Sequence, residues 1–215
     1  VVSKTNIKLD IEFWGAGTAR TLRPIWTAEE LNLKYKLNPI GPRTGETQTT
    51  EYLKLNPKQK IPLMRHGDFF LSESLTICRY LRDISPSENI LNPKDGKTLA
   101  KEDEWSSFIY GELDETSLYV MRRHHDLKKI YGEAPKVVES CRNYFLKQLS
   151  VIESALSQKD TLLDSSFSLA DIFLTSCLDW ALAYNFELPS NISKYHQTIT
   201  NREAYIRAVK INYGK

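Results

Sequence analysis

The chain has 215 residues, 41% of them hydrophobic and 26% charged, the composition of an ordinary globular protein long enough to bury a core without staples. Its 29 basic and 27 acidic residues leave a net charge of +2, too balanced for a nucleic-acid partner. It contains no run of about 18 apolar residues, so no transmembrane helix and no membrane partner are expected. The three cysteines, Cys78, Cys141 and Cys177, are widely spaced among apolar neighbours and read as reduced, buried thiols. The opening stretch VVSKTNIKLD lacks the apolar core of a signal peptide, so a cytoplasmic location is expected.

Taken in order, Lys8–Trp14 is rich in Ile, Phe and Trp and partly alternates, a strand pattern. After Gly15-Ala16-Gly17-Thr18 comes a helical run with apolar Leu22, Ile25, Trp26 and Leu33. Its start is open. If Ala19 begins the helix, Pro24 lies deep in it and a kink is expected. If Thr21 is the cap, Pro24 falls in the tolerated first turn. A second strand is expected at Lys34–Ile40, broken by Gly41-Pro42, and a short helix at Thr50–Leu55, stopped by Asn56-Pro57. Ile61–Arg65 and Phe69–Leu71 flank the turn His66-Gly67-Asp68 and read as a hairpin. Ser74–Ile84 carries Leu75, Ile77, Cys78, Leu81 and Ile84 on a broad helical face. The order β-α-β-α-β-β-α describes an α/β layer over residues 1–84.

Ser85-Pro86-Ser87 and Asn92-Pro93-Lys94-Asp95-Gly96 mark a linker over 85–97, and residues 98–215 then show almost no strand signal. Lys97–Lys129 reads as one long helix. Val138, Cys141, Phe145, Leu149, Ile152 and Leu156 form a helical stripe, and Ile172, Phe173, Cys177, Trp180, Ala181 and Tyr184 form another. Before the last of these, Ser168 and Asp171 stand at the N-cap and N3 positions of a capping box. Phe167 and Ile172 stand where a hydrophobic staple would place them. The second half is therefore all-helical.

Several motifs fail. Gly15-Ala16-Gly17 begins a dinucleotide-loop pattern, but Arg20 holds the third glycine position. There is no Gly-Lys-Ser/Thr, no Cys-x-x-Cys and no Gly-x-Ser-x-Gly, and His124 and His125 project about 100° apart on a helix, so no metal site is expected. Pro62 is the informative oddity. It interrupts the apolar run of KIPLM, where a strand needs every N–H, and Ser72-Glu73-Ser74 soon follows at the mouth of a helix.

Three segments carry a resemblance: FWGAGTARTLRPIWTAEELNL (13–33), NPKQKIPLMRHGDFFLSESLTICRYL (56–81) and SLAD (168–171). In these the chain resembles the cytosolic glutathione transferases, with a bacterial, theta-like flavour. The resemblance implies an N-terminal thioredoxin-like α/β domain (1–84) joined to an all-α C-terminal domain (98–215). It implies that Pro62 follows a cis bond and that Ile61 offers its backbone to glutathione as a strand edge does. Ser74 would hold the γ-glutamyl carboxylate at a helix N-terminus, with Glu73 near the ammonium and Lys60, and Thr47 or Gln48, near the glycyl end. Thr18 falls where theta-like members carry the catalytic serine, although as a threonine it is equally placed to be a plain N-cap. Arg20 is a neighbouring candidate for charge stabilisation. Trp14, Tyr110, Leu113, Asp114, Ser117 and Arg122 occupy positions that line the electrophile site, or else belong to the core. The implied activity is conjugation of the glutathione thiolate to a small hydrophobic electrophile by a homodimer, with glutathione as co-substrate and no other cofactor. The competing reading is a non-catalytic ligand carrier or docking module of the same fold.

Overall fold

The computed structural model describes residues 10–85, 91, 93, 95–163 and 166–214. It divides into two compact units, one holding the described residues up to Ser85 and those from Arg207 onward, the other those from Leu91 to Ile206. Lys8 and Leu9 of the expected first strand, and Pro86, Ser87, Asn92 and Lys94 of the linker signals, lie outside the described residues.

The first unit is built on a four-stranded mixed sheet: β1 (Ile11–Trp14), β2 (Tyr35–Asn38), β3 (Leu63–His66) and β4 (Phe69–Ser72), in the spatial order β2-β1-β3-β4. β1 runs parallel to β2, with Ile11 opposite Tyr35, and antiparallel to β3, with Trp14 opposite Leu63. A parallel pair needs a crossover, which α1 (Ala19–Glu30) supplies, whereas β3 and β4 close through a tight turn with Gly67 at φ +58°. A 3₁₀ turn (Glu46–Gln48), α2 (Thr50–Leu55) and α3 (Ser74–Ile84) complete the layer, with α2 and α3 at the predicted positions.

Alternation along β1 sorts its side chains. Ile11 and Phe13 join Ala28, Met64, Ile77 and Leu81 in the core, each 2% exposed or less. Glu12 projects to the opposite face, where Lys36 Nζ (2.6 Å), Asn38 Nδ2 (2.8 Å) and Arg65 Nη2 (2.8 Å) surround its carboxylate. Burial by itself would raise the pKa of Glu12, but these donors outweigh it and hold the group at about 2.

α1 begins at Ala19, with Thr18 as its N-cap, so Pro24 stands inside the helix and cannot donate a backbone hydrogen bond to the carbonyl of Arg20. Leu33 is not part of α1. Its N–H bonds the carbonyl of Ala28 after the chain turns at Asn32, φ +53°.

The second unit is helical: α4 (Gly96–Phe108), a π-helical stretch (Ile109–Tyr119), α5 (Val120–His124), α6 (Lys128–Tyr131), α7 (Pro135–Ala155), α8 (Leu169–Ala183) and α9 (Ser190–Thr200). α10 (Glu203–Tyr213) starts in this unit, and its residues from Arg207 onward belong to the first. The single helix expected over Lys97–Lys129 is broken into these pieces. Wider turns replace the α pattern beyond Phe108, where the Ser117 hydroxyl donates to the Glu112 carbonyl at 2.7 Å, and the chain bends after His124. At the start of α8, the Asp171 carboxylate accepts from Ser168 N (2.8 Å), Leu162 N (2.9 Å) and the Tyr195 hydroxyl (3.0 Å), while Glu102 accepts from Leu169 N at 3.1 Å. All three cysteines are free and buried, and burial pushes the Cys78 thiol up to about 12. No helix among the described residues is long and apolar enough to cross a membrane.

Candidate functional site

The edge of β3 is prepared before the strand begins. The Ile61–Pro62 bond is cis, and regular pairing starts only at Leu63. Just upstream, the Lys60 carbonyl is clamped by two donors, the Tyr52 hydroxyl at 2.7 Å and Asn56 Nδ2 at 2.9 Å. Tyr52 comes from α2 and is nearly buried, which pushes its pKa up to about 12, so the phenol stays protonated and donating. With Lys60 held, the next peptide has a fixed orientation. Among the described residues, the N–H and C=O of Ile61 have no hydrogen-bond partner. A half-buried backbone left in that condition is matched to an extended ligand that adds a strand.

Gly15 brings a second element against this edge. It follows β1 with φ +117°, and a Cβ there would lie 2.6 Å from Ile61 Cβ and 2.9 Å from Thr21 Cγ2. Only glycine lets Ile61 and the first turn of α1 meet across the loop. That turn is closed by a reciprocal cap. Thr21 N–H donates to Thr18 Oγ1 at 3.0 Å, and Thr18 N–H donates to Thr21 Oγ1 at 3.0 Å. The Thr18 hydroxyl keeps its own proton, with Thr21 Oγ1 at 3.0 Å as one acceptor for it. Arg20 lies in the same turn, half-buried.

The third element is the mouth of α3. Ile77 N–H is bonded to the Glu73 carbonyl at 2.9 Å, so the amides of Ser74, Leu75 and Thr76 precede the helix ladder and point out of its N-terminus. Ser74 is buried at 5% exposure, and its Oγ accepts from Arg23 Nη1 of α1 at 3.3 Å. Glu73 holds φ +75°, a conformation that costs a non-glycine residue about 1–3 kcal/mol, and its side chain pairs with Lys58 Nζ at 2.9 Å. Lys58 also donates to Ser72 Oγ at 3.0 Å. Lys60 is exposed, as is Gln48, while Thr47 beside it is buried.

The first unit thus brings together a free strand edge, a capped helix start and a helix N-terminus. Two family models match the chain, the glutathione S-transferase N-terminal domain over residues 10–83 and the glutathione S-transferase C-terminal domain over residues 111–203. The chain belongs to the glutathione S-transferase family. It is 26% identical to Glutathione S-transferase F4 of Arabidopsis thaliana, over 87% of this chain and 80% of that one. It is 27% identical to Glutathione S-transferase theta-1 of Bos taurus, over 67% of this chain and 62% of that one. The fold is that of the glutathione transferase URE2P6 from Phanerochaete chrysosporium, solved with oxidized glutathione, at a TM-score of 0.84 and 22% identity, covering 96% of this chain and 97% of that one.

The other transferase-site candidates are placed as follows. Trp14 ends β1, half-buried, its ring 6.3 Å from that of Phe70. In the second unit, Leu113, Asp114 and Ser117 lie on the π-helical stretch and are fully buried. Tyr110 is half-buried, its hydroxyl donating to Glu115 Oε1 at 3.2 Å, and Arg122 is half-buried on α5. Sequence reasoning missed Tyr52, Asn56 and Lys58, which orient the groups it did find. Asn56 was visible as a helix stop before Pro57 and as the start of the 56–81 segment, but not as a donor to Lys60.

Proposed function

We propose that the protein conjugates the glutathione thiolate to a small hydrophobic electrophile. Glutathione is the family's co-substrate. The observation that carries the reading is the meeting of Ile61, Thr21 and Gly15 within van der Waals range, which sets the unpaired edge beside the capped start of α1. On this reading the Ile61 N–H and C=O pair with the cysteinyl backbone of glutathione, and the cis Pro62 ends regular pairing at that point. Ser74 and the first amides of α3 take the γ-glutamyl carboxylate, favoured by the positive end of the helix dipole. Glu73 takes the γ-glutamyl ammonium, and Lys60 and Gln48 take the glycyl end.

The sulfur then lies toward Thr18. A free thiol has a pKa near ~8.5, and a hydroxyl proton donated to it at a helix N-terminus lowers that value. Thr18 supplies this donor, and Arg20 in the same turn adds positive potential. In the helical domain the half-buried Tyr110 and Arg122 are the groups that take the electrophile, whereas Leu113, Asp114 and Ser117 are fully buried and belong to the core. We place the glutathione-binding domain at 1–84 together with the residues from Arg207 onward, and the helical domain at 98–206, and read the working form as a cytoplasmic homodimer.

The test is Thr18→Ala. Turnover with a chloronitrobenzene should fall at least about ten-fold while glutathione affinity changes little, since a group that acts on the thiolate contributes to kcat rather than to binding. Unchanged turnover would remove Thr18 from the mechanism. Glutathione binding with no turnover toward any electrophile would favour the carrier reading.

A further inference from the structure

Asn212, on the last turn of α10, is 3% exposed and reaches back across most of the sequence to the loop that presents Thr18. Its Oδ1 accepts from Gly17 N–H at 3.2 Å and from the Thr21 hydroxyl at 2.7 Å, and its Nδ2 donates to the Thr18 carbonyl at 3.1 Å. Its backbone carbonyl accepts from the same Gly17 N–H at 2.8 Å. The orientation of the amide is fixed by its partners. Turned over, it would set an NH₂ group against the Gly17 N–H and an oxygen against the Thr18 carbonyl. One buried side chain therefore grips the residue before Thr18, the carbonyl of Thr18 itself, and the hydroxyl that caps Thr18.

We propose that Asn212 is a positioning residue for the Thr18 hydroxyl, acting through the loop and through Thr21. This inference rests on the reading of Thr18 as the donor to the glutathione sulfur. The geometry gives Asn212 two effects. It fixes the peptide before Gly17 and the peptide after Thr18, and so brackets a glycine at φ +81° with no heavy atom within 4 Å of where a Cβ would stand. It also offers the Thr21 proton its shortest bond, at 2.7 Å against 2.9 Å to the Thr18 carbonyl. Thr21 then holds Thr18 Oγ1 in place through its N–H, and because its own hydroxyl proton goes to Asn212, the single Thr18 proton is free to turn from Thr21 Oγ1 to the sulfur when glutathione binds. A loop that drifts by a fraction of an ångström would still bind the tripeptide through Ile61 and Ser74, but would aim the hydroxyl poorly at sulfur.

The experiment measures the pKa of enzyme-bound glutathione from the ultraviolet absorbance of the thiolate, together with kcat and KM for glutathione. It compares the wild type with Asn212→Ala, Asn212→Asp and Thr18→Ala. Expected for Asn212→Ala are a bound-thiol pKa raised by about half a unit or more, a roughly ten-fold loss in kcat, and a KM for glutathione within about two-fold of wild type. Asn212→Asp keeps the size and both acceptor contacts but sets an anion against the Thr18 carbonyl. It should shift the thiol pKa in the same direction, and it serves if the alanine variant does not fold. A wild-type pKa and kcat in both Asn212 variants, while Thr18→Ala raises the pKa, overturns the role of Asn212 alone. An unmoved pKa in Thr18→Ala overturns the reading of Thr18, and the proposal with it.

Discussion

Gly15→Ala tests whether the meeting of Ile61 with the start of α1 holds the first domain together. Two costs can be worked from the structure. The backbone at residue 15 sits at φ +117°, where an alanine costs about 1–3 kcal/mol. The new methyl would also lie 2.6 Å from Ile61 Cβ and 2.9 Å from Thr21 Cγ2. Neither neighbour is the far end of a flexible chain, since both are β-branched residues pinned at their own backbone. Relieving the overlap must move the backbone of Ile61 or of α1, which costs about 1–3 kcal/mol more. The sum is about 2–6 kcal/mol, or a melting temperature lower by roughly 10 °C in a chain of this size. Gly67→Ala is the matched control. Its φ of +58° is also positive, but nothing lies within 4 Å of an added Cβ, so it should lose only about 1 kcal/mol. Thermal and urea denaturation of both variants give the comparison, and glutathione titration of the surviving Gly15→Ala protein should show affinity down about ten-fold as the Ile61 edge is displaced. If Gly15→Ala is no less stable than Gly67→Ala, the close approach of Ile61 and Thr21 to Gly15 is not a constraint on the domain.

Glu12 predicts an acid limb. Its pKa is about 2 when folded against 4.5 ordinarily, so its contribution is complete above about pH 4.5 and disappears as pH falls toward 2. The lost stabilisation is at most about 3 kcal/mol, less because Lys36 is largely exposed, and Glu12→Gln should flatten that limb in urea titrations at stepped pH. Ser74→Ala should weaken glutathione binding about ten-fold with little change in kcat at saturation, as read by calorimetry and steady-state kinetics. Tyr52→Phe removes one of two donors to the Lys60 carbonyl and should raise KM for glutathione several-fold while the melting temperature changes little. Asp171→Ala leaves buried donors from Leu162, Ser168 and Tyr195 unsatisfied and should cost at least about 3 kcal/mol by urea denaturation.

Much of this was legible in the sequence because it is local. The capping box at Ser168-Asp171, the helices at Thr50–Leu55 and Ser74–Ile84 and the hairpin around Gly67 each follow from spacing within a few residues. Pro62 announced the unpaired edge because a residue without an N–H cannot stand inside a ladder. The long helix expected over Lys97–Lys129 failed because a π turn buries the same residue types as an α turn. Apolar periodicity does not register the change from one ladder to the other until it accumulates, here into a stretch ending at Tyr119. Thr18 and Thr21 were both cap candidates on local grounds. The structure makes them the two halves of one cap, a reciprocity that spacing alone allows but does not select.

What stayed hidden is the set of side chains that aims the site. Tyr52 and Asn56 look like ordinary α2 residues, yet both donate to one carbonyl, that of Lys60, just before the edge opens. Arg23 looks like a solvated helix cation, yet it is fully buried and reaches Ser74 from α1. Asn212 stands 191 residues from Thr21 and shares no pattern with it. Each is a polar group that would be costly to bury alone and is paid for by a partner the chain supplies from elsewhere. The residues proposed to touch glutathione follow local rules, because a strand edge and a helix N-terminus are backbone features that any sequence of the right pattern offers. The residues that orient them follow from topology, because only the fold decides which carbonyl a distant amide will meet. Substitutions in the second set should therefore act through the group each residue orients: Tyr52 through the binding edge at Ile61, and so on KM, and Asn212 through Thr18, and so on kcat.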